Sequence, residues 1–373
     1  MSRRAVVAAS GMALIGAALP IGALPTMALS SWVPPAPPVT TAKAVFVYDA
    51  TAGVALSALI PDEPLAPASL TKVATGVVAL NLLDLAAMVT ITEDDLASTD
   101  ESRVGLVAGD VMSVYNLIAG MLVASGNDAS KALARFAGQT VLGAAPGQEI
   151  AAFVDAMNAM AEELGLTQTH FENPSGLDGP GQFSSARDLA MLSVEAMKNP
   201  VFAEIVAMVS ATLPSAVLPE GYPIHTTNDF LLDGYALGIK TGTTEEAGGC
   251  LITASLQGAN LLITVVLGSE LTYDEFGPHS AERFNDTRAI LNYVSQIYTW
   301  VDPSMPGTVP SLDAEMAAWR VLLPPTGFIP VPNDALDDAF RLRLDAAESE
   351  VAGSLMVMAG TQVLTTRPLS RVS

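Results

Sequence analysis

Ser69-Leu70-Thr71-Lys72 is the one Ser-x-x-Lys in a chain of 373 residues with five lysines. On a helix, that spacing puts both side chains on one face. A serine hydroxyl attacks a carbonyl only when something takes its proton, and a lysine can do so once burial or a neighbouring cation lowers its pKa toward neutrality. The residues from Ser69 to about Leu83 read as a helix that is apolar nearly all round, with Leu70, Val73, Val77, Val78, Leu80 and Leu82, and is therefore buried. Ser69 at its N-terminus would also aim backbone N–H groups at a developing oxyanion. Alone, the motif fits a capped helix with a surface lysine equally well.

Ser125-Gly126-Asn127 lies between two expected helices, Val111 to Ala124 and Ala129 to Phe136. Glycine permits a positive φ there and the flanking polar side chains can turn toward a cleft, although an ordinary turn has the same composition. Lys240-Thr241-Gly242 opens an apolar run, Ala236 to Thr244, that reads as a strand. A lysine followed by Thr and Gly is an odd choice for a buried strand. An extended ligand could hydrogen-bond such an edge, with the lysine and hydroxyl on a carboxylate and the glycine allowing close approach.

In the order Ser-x-x-Lys, Ser-x-Asn, Lys-Thr-Gly, the three motifs form the signature of penicillin-recognising serine acyltransferases. Longer strings sharpen it: Pro67-Ala-Ser-Leu-Thr-Lys72, Ser125-Gly-Asn-Asp-Ala129, Met157-Asn158 through Leu164-Gly165-Leu166, Thr169-His-Phe171, Gly176-Leu-Asp178, Ser185-Ala-Arg-Asp-Leu189 and Gly238-Ile-Lys-Thr-Gly242. Over about residues 44 to 300 the chain resembles the low-molecular-mass penicillin-binding proteins that act as D-alanyl-D-alanine carboxypeptidases. The resemblance implies an α+β fold of the β-lactamase/transpeptidase-like kind, an α/β sandwich with a helical subdomain. It implies removal of the terminal D-alanine of peptidoglycan stem pentapeptides through an acyl-enzyme, β-lactams as covalent inhibitors, and no cofactor.

By the same resemblance, Ser69 is the nucleophile, Lys72 its base, and Ser125 the relay of the proton to the leaving amine. Asn127 hydrogen-bonds the substrate amide, while Lys240 and Thr241, with Gly242 beside them, hold the terminal carboxylate. Ser69 and Thr243 supply the oxyanion N–H groups. Arg283 either adds charge near the carboxylate or makes a plain surface ion pair. Ser175 stands where these carboxypeptidases commonly carry histidine before Gly-Leu, which gives weight to endopeptidases that cut D-alanyl cross-links; a catalytically silent cell-wall binding protein is the non-enzymatic alternative. A class A β-lactamase is disfavoured, because Glu162 and Glu163 lie in a regular amphipathic helix, Glu149 to Leu164, and read as solvated charges.

Met-Ser-Arg-Arg followed by an uncharged apolar stretch to about Ala23 and small residues near Ala28 is a signal-peptide pattern for residues 1–28. It predicts export to the periplasm or the exterior, with a membrane contact only if the segment stays uncleaved. Residues 29–43, with Pro34, Pro35, Pro37 and Pro38, read as an extended linker. The catalytic domain then spans 44–300: a hairpin from Ala44 to Leu56, the helical block, a meander through Cys250 to Leu256 and Leu261 to Gly268, and a helix over 284–298. Prolines 303, 306 and 310 mark a boundary before a small β-rich domain at 312–373. Thirty-nine acidic against 17 basic residues give a net charge of −22, which argues against a nucleic-acid partner. Three scattered histidines and the single Cys250 argue against a zinc site, and Cys250, in an apolar run, reads as a buried structural thiol.

Overall fold

The computed structural model describes residues 35–275, 277–333, 339–344, 353–359 and 362–371. The signal-peptide pattern lies outside them. Ala44–Asp49 (β1) and Val54–Leu59 (β2) form the expected hairpin, and the other edge of β1 pairs with a strand more than 200 residues away. That late segment is a meander of Gly238–Thr244 (β3), Gly248–Gln257 (β4) and Asn260–Ser269 (β5). The result is one antiparallel sheet in the order β2-β1-β5-β4-β3, with β3 at its edge.

Both faces of this sheet are covered, which is why its strands read as near-continuous apolar runs. Ala44 and Phe46 of β1 enter one hydrophobic cluster, and Val45 and Val47 enter another on the opposite face. The first cluster is the helical block: Lys72–Leu82 (α1), Val114–Val123 (α2), Asn127–Thr140 (α3), Glu149–Glu163 (α4), Ala186–Met197 (α5) and Pro200–Val206 (α6). The second lies under Glu282–Ile297 (α7), which contributes Ile290, Leu291, Val294 and Ile297. Every residue of α1 from Lys72 to Ala79 is buried, as its all-round apolar composition predicts.

Two local expectations change. Val111–Ser113 is a short strand paired with Met88–Thr90, and the helix starts after it, because the Ser113 hydroxyl accepts from Asn116 N–H as the N-cap. The helix expected from Ser69 begins instead as a 3-10 turn over Ala68–Thr71 and becomes α-helical at Lys72. In a 3-10 turn residues i and i+3 eclipse, so Ser69 and Lys72 still share a face.

Buried residues between Val301 and Leu369 form a third hydrophobic cluster. Its four-stranded sheet has the order Val321–Leu322, Gln362–Arg371, Gly353–Ala359, Phe340–Leu344, and Gly353–Ala359 alternates buried and half-buried residues as a one-sided sheet must. Pro310–Trp319 is a helix with proline in its first turn, a feature the strand pattern did not anticipate. At the other end of the chain, Thr41 N–H and hydroxyl both donate to the buried Asp286 carboxylate (3.0 and 2.8 Å), fastening the proline-rich segment to α7. No helix among the described residues is long and apolar enough to cross a membrane.

Candidate active site

Between Pro67 and Ala79 every residue is buried except Ser69, which is half-buried. The turn that presents it is tightly held. Ala68 adopts φ 49°, a left-handed conformation that a side chain makes costly, and two glycines from distant segments press on it. A Cβ on Gly176 would sit 1.9 Å from the Ala68 carbonyl oxygen, and one on Gly242 would sit 3.1 Å from Ser69 N. Gly242 was expected to admit a ligand; its close neighbour is the serine turn itself. The loop carrying Gly176 is in turn fixed by Asn173, whose Oδ1 accepts from Ser175, Gly176 and Leu177 N–H (3.1, 2.7 and 3.2 Å). Gln182 Nε2 donates to Thr71 Oγ1 (2.8 Å), and the Thr244 hydroxyl ties β3 to Asp178 (2.7 Å).

Lys72 is wholly buried, and its Nζ has three partners: Ser69 Oγ at 2.8 Å, Asn127 Oδ1 at 2.7 Å and Ser175 O at 2.6 Å. Burial first, and the Lys240 cation second, push its pKa well below the ordinary lysine value, against the smaller opposing pull of Asp128 and Glu101. Two of the three partners, the amide and carbonyl oxygens, can only accept. A neutral amine that donates to both has its lone pair left for the Ser69 hydroxyl, which is the geometry of a base poised on its nucleophile.

Asn127 comes to the same place, two residues after Ser125. Ser125 is nearly buried with φ 61°, and Gly126 leaves Asn127 to open α3. The Asp128 carboxylate accepts from Val104, Gly105 and Leu106 N–H, which clamps the preceding loop over this turn. Lys240 is as buried as Lys72. Burial and then the Arg283 charge lower it to about 7, and its Nζ donates to Thr241 O (2.9 Å). The hydroxyls of Thr241 and Thr227 meet at 2.5 Å, so Thr227, unmarked by any motif, fixes how Thr241 is turned. Thr243 is half-buried on the edge strand, where one row of backbone groups has no strand partner.

Among the described residues Arg283 has no ion-pair partner within salt-bridge distance. It lies buried behind the sheet, with Nε donating to Ser280 O (2.7 Å) and Nη1 to Gly242 O (2.8 Å) and Cys250 O (3.5 Å), so it braces the strand that carries Lys240. Cys250 is fully buried with its thiol pushed up to about 11, and Glu162 and Glu163 are exposed. Among the described residues no group of three or more His, Cys, Asp or Glu could hold a metal ion.

A family model described as D-alanyl-D-alanine carboxypeptidase matches residues 33–270. D-alanyl-D-alanine carboxypeptidase DacC of Escherichia coli K12 is 32% identical over 294 residues, 72% of this chain, and the chain spans 65% of that relative's own length. Among solved structures, penicillin binding protein 6B from Escherichia coli aligns with a TM-score of 0.68 at 29% identity over 90% of this chain and 96% of that one. The Streptomyces K15 DD-transpeptidase aligns at 0.63 and 28% identity over 70% and 100%. The sheet with its inserted helical block is thus the β-lactamase/transpeptidase-like fold, and the chain belongs to the D-alanyl-D-alanine carboxypeptidase family of serine peptidases, peptidase family S11.

Proposed function

We propose that the protein is an exported serine D-alanyl-D-alanine carboxypeptidase that removes the terminal D-alanine from peptidoglycan stem pentapeptides and is acylated by β-lactams. The observation that carries this reading is the 2.8 Å contact of Ser69 Oγ with a buried Lys72 whose other partners are both acceptors. In acylation, Ser69 Oγ attacks the penultimate carbonyl as its proton passes to Lys72 Nζ. The N–H groups of Ser69 and Thr243 take the developing oxyanion. Ser125 passes a proton to the leaving amine, the C–N bond breaks, free D-alanine departs, and water later hydrolyses the ester. Lys240, charged once a carboxylate enters, and the Thr241 hydroxyl hold the substrate's terminus. Arg283 acts behind them, through the Gly242 carbonyl and through its charge on Lys240. The arginine-rich start and apolar run of residues 1–28 support export.

Digestion of purified muropeptides tests the reading. Free D-alanine released from pentapeptide monomers is the expected product; cleavage of cross-linked dimers with monomers untouched assigns an endopeptidase instead, and no product from either refutes the enzyme.

A further inference from the structure

Glu101 borders the site without a part in the steps above. Its side chain is 16% exposed, and Oε2 accepts from Asn127 Nδ2 at 2.7 Å, while Oε1 accepts from the Ser98 hydroxyl at 2.6 Å and Ser98 N–H at 3.3 Å. The loop is fixed against α3, because Asn127 N–H donates to Ser102 O (2.9 Å) and Asp128 takes the three N–H groups from 104 to 106. The far end of the same amide, Asn127 Oδ1, faces Lys72 Nζ.

A side-chain amide has a donor end and an acceptor end of nearly the same shape, so its neighbours decide which way it faces. Turned over, Asn127 would set its oxygen against the Glu101 carboxylate and its NH₂ against Lys72. That NH₂ would donate into the lone pair of the neutral amine, the lone pair the Ser69 proton has to reach.

We infer that Glu101 is a positioning residue for acylation: by accepting from Asn127 Nδ2 it keeps the Asn127 oxygen turned to Lys72 and leaves the amine's lone pair to Ser69. The inference rests on the reading of Ser69 and Lys72 as nucleophile and base. Glu101 touches no reacting atom, since it reaches Ser69 only through Asn127 and Lys72. The charged groups acting on Lys72 are Lys240 from β3, Asp128 from α3 and Glu101 itself. Facing Glu101 is Lys131, 3.8 Å away. Burial opposes ionisation of Glu101, but the hydrogen bonds from Ser98 and Asn127 and the Lys131 charge outweigh it and hold the carboxyl below its usual range. It is therefore an anion at neutral pH.

Glu101→Gln tests this, because glutamine has the same shape and can meet either face of Asn127. Two measurements are made on the full chain, with thermal melting alongside. The first is acylation by a fluorescent penicillin as a function of pH. The maximal rate constant should fall by about tenfold or more, the scale of a hydrogen bond to a charged group. The rise of rate with pH should move to lower pH, since removing an anion makes Lys72 easier to deprotonate. The second is the ¹³C titration of lysine Cε, tractable with five lysines and assigned through Lys72→Arg. Lys72 should titrate lower in Glu101→Gln, stay near its wild-type position in Glu101→Asp, which keeps the charge, and Lys240 should move in neither. A rate loss with both the pH profile and the Lys72 titration unmoved would mean that the substitution only loosens the loop, and it overturns the inference; so does an unchanged rate. The titration needs no activity, so a wild-type protein that takes no label at Ser69 refutes the proposed function while Lys72 still judges Glu101.

Discussion

Replacing Gly176 by alanine should cripple acylation from a position that carries no reactive group. Its φ of 88° lies where a side chain is unfavourable by about 1–2 kcal/mol, and the new Cβ would stand 1.9 Å from the Ala68 carbonyl oxygen and 3.0 Å from Ser69 N. An ordinary contact needs more than 3 Å, so roughly 1 Å of backbone movement has to be shared between two packed segments. Both lead straight to Ser69. A displacement of about 1 Å at a reacting group lowers rates by about 10²-fold, and strain plus overpacking should reduce stability by about 2–5 kcal/mol. Gly165→Ala is the control, with φ 70° and nothing within 4 Å of a built Cβ. It should lose only the conformational part, about 1 kcal/mol, and acylate normally. Stopped-flow labelling with a fluorescent penicillin and chemical denaturation read both quantities. A folded Gly176→Ala that acylates at the wild-type rate, or loses no more stability than Gly165→Ala, refutes the claim that this glycine sets the nucleophile's position.

Lys72→Ala should abolish acylation by every ligand, whereas Lys240→Ala should slow ligands bearing a terminal carboxylate far more than an analogue lacking it, by the ~1.5–3 kcal/mol of a charge-assisted hydrogen bond; equal slowing of both ligand types contradicts the role given to Lys240. With Lys240 near 7 in the free protein, second-order capture of carboxylate ligands should decline as pH rises through that value, because the amine loses the charge it offers. In Arg283→Gln that decline should move to higher pH, since a neighbouring cation is gone; a profile that does not move would show that the guanidinium acts on β3 alone. Cys250, buried and with its thiol pushed up to about 11, should resist thiol reagents at pH 8 until the protein is unfolded; rapid labelling of the native protein refutes its burial.

The contact of Lys72 with Ser69 and Asn127 was legible because these residues stand in motifs of short spacing, and the turns that carry them are local. The sheet was legible for a related reason: the late meander and the early hairpin each show their own alternation or apolar run. What stayed hidden depends on contacts distant in sequence. Nothing near Gly176 reveals that its missing side chain makes room for Ala68, over 100 residues earlier, although Gly176 belongs to the family-like motif Gly176-Leu-Asp178. Glu101 and Thr227 lie in polar loops where such residues are ordinary, and only the fold brings them against Asn127 and Thr241. The burial of Lys72 is legible in the all-round apolar composition of α1, whereas that of Lys240 is set by residues distant from β3 in sequence. The helix at Pro310–Trp319 was missed for want of an apolar stripe at helical spacing, since it buries little beyond Leu312.

The central claim is that Ser69 is the nucleophile of an acyl-enzyme. Labelling the purified protein with a penicillin, followed by intact-mass measurement and peptide mapping, tests it most directly. One adduct per chain on Ser69, absent from Lys72→Ala, is the predicted result; an adduct on any other residue, or none on a folded protein, contradicts it.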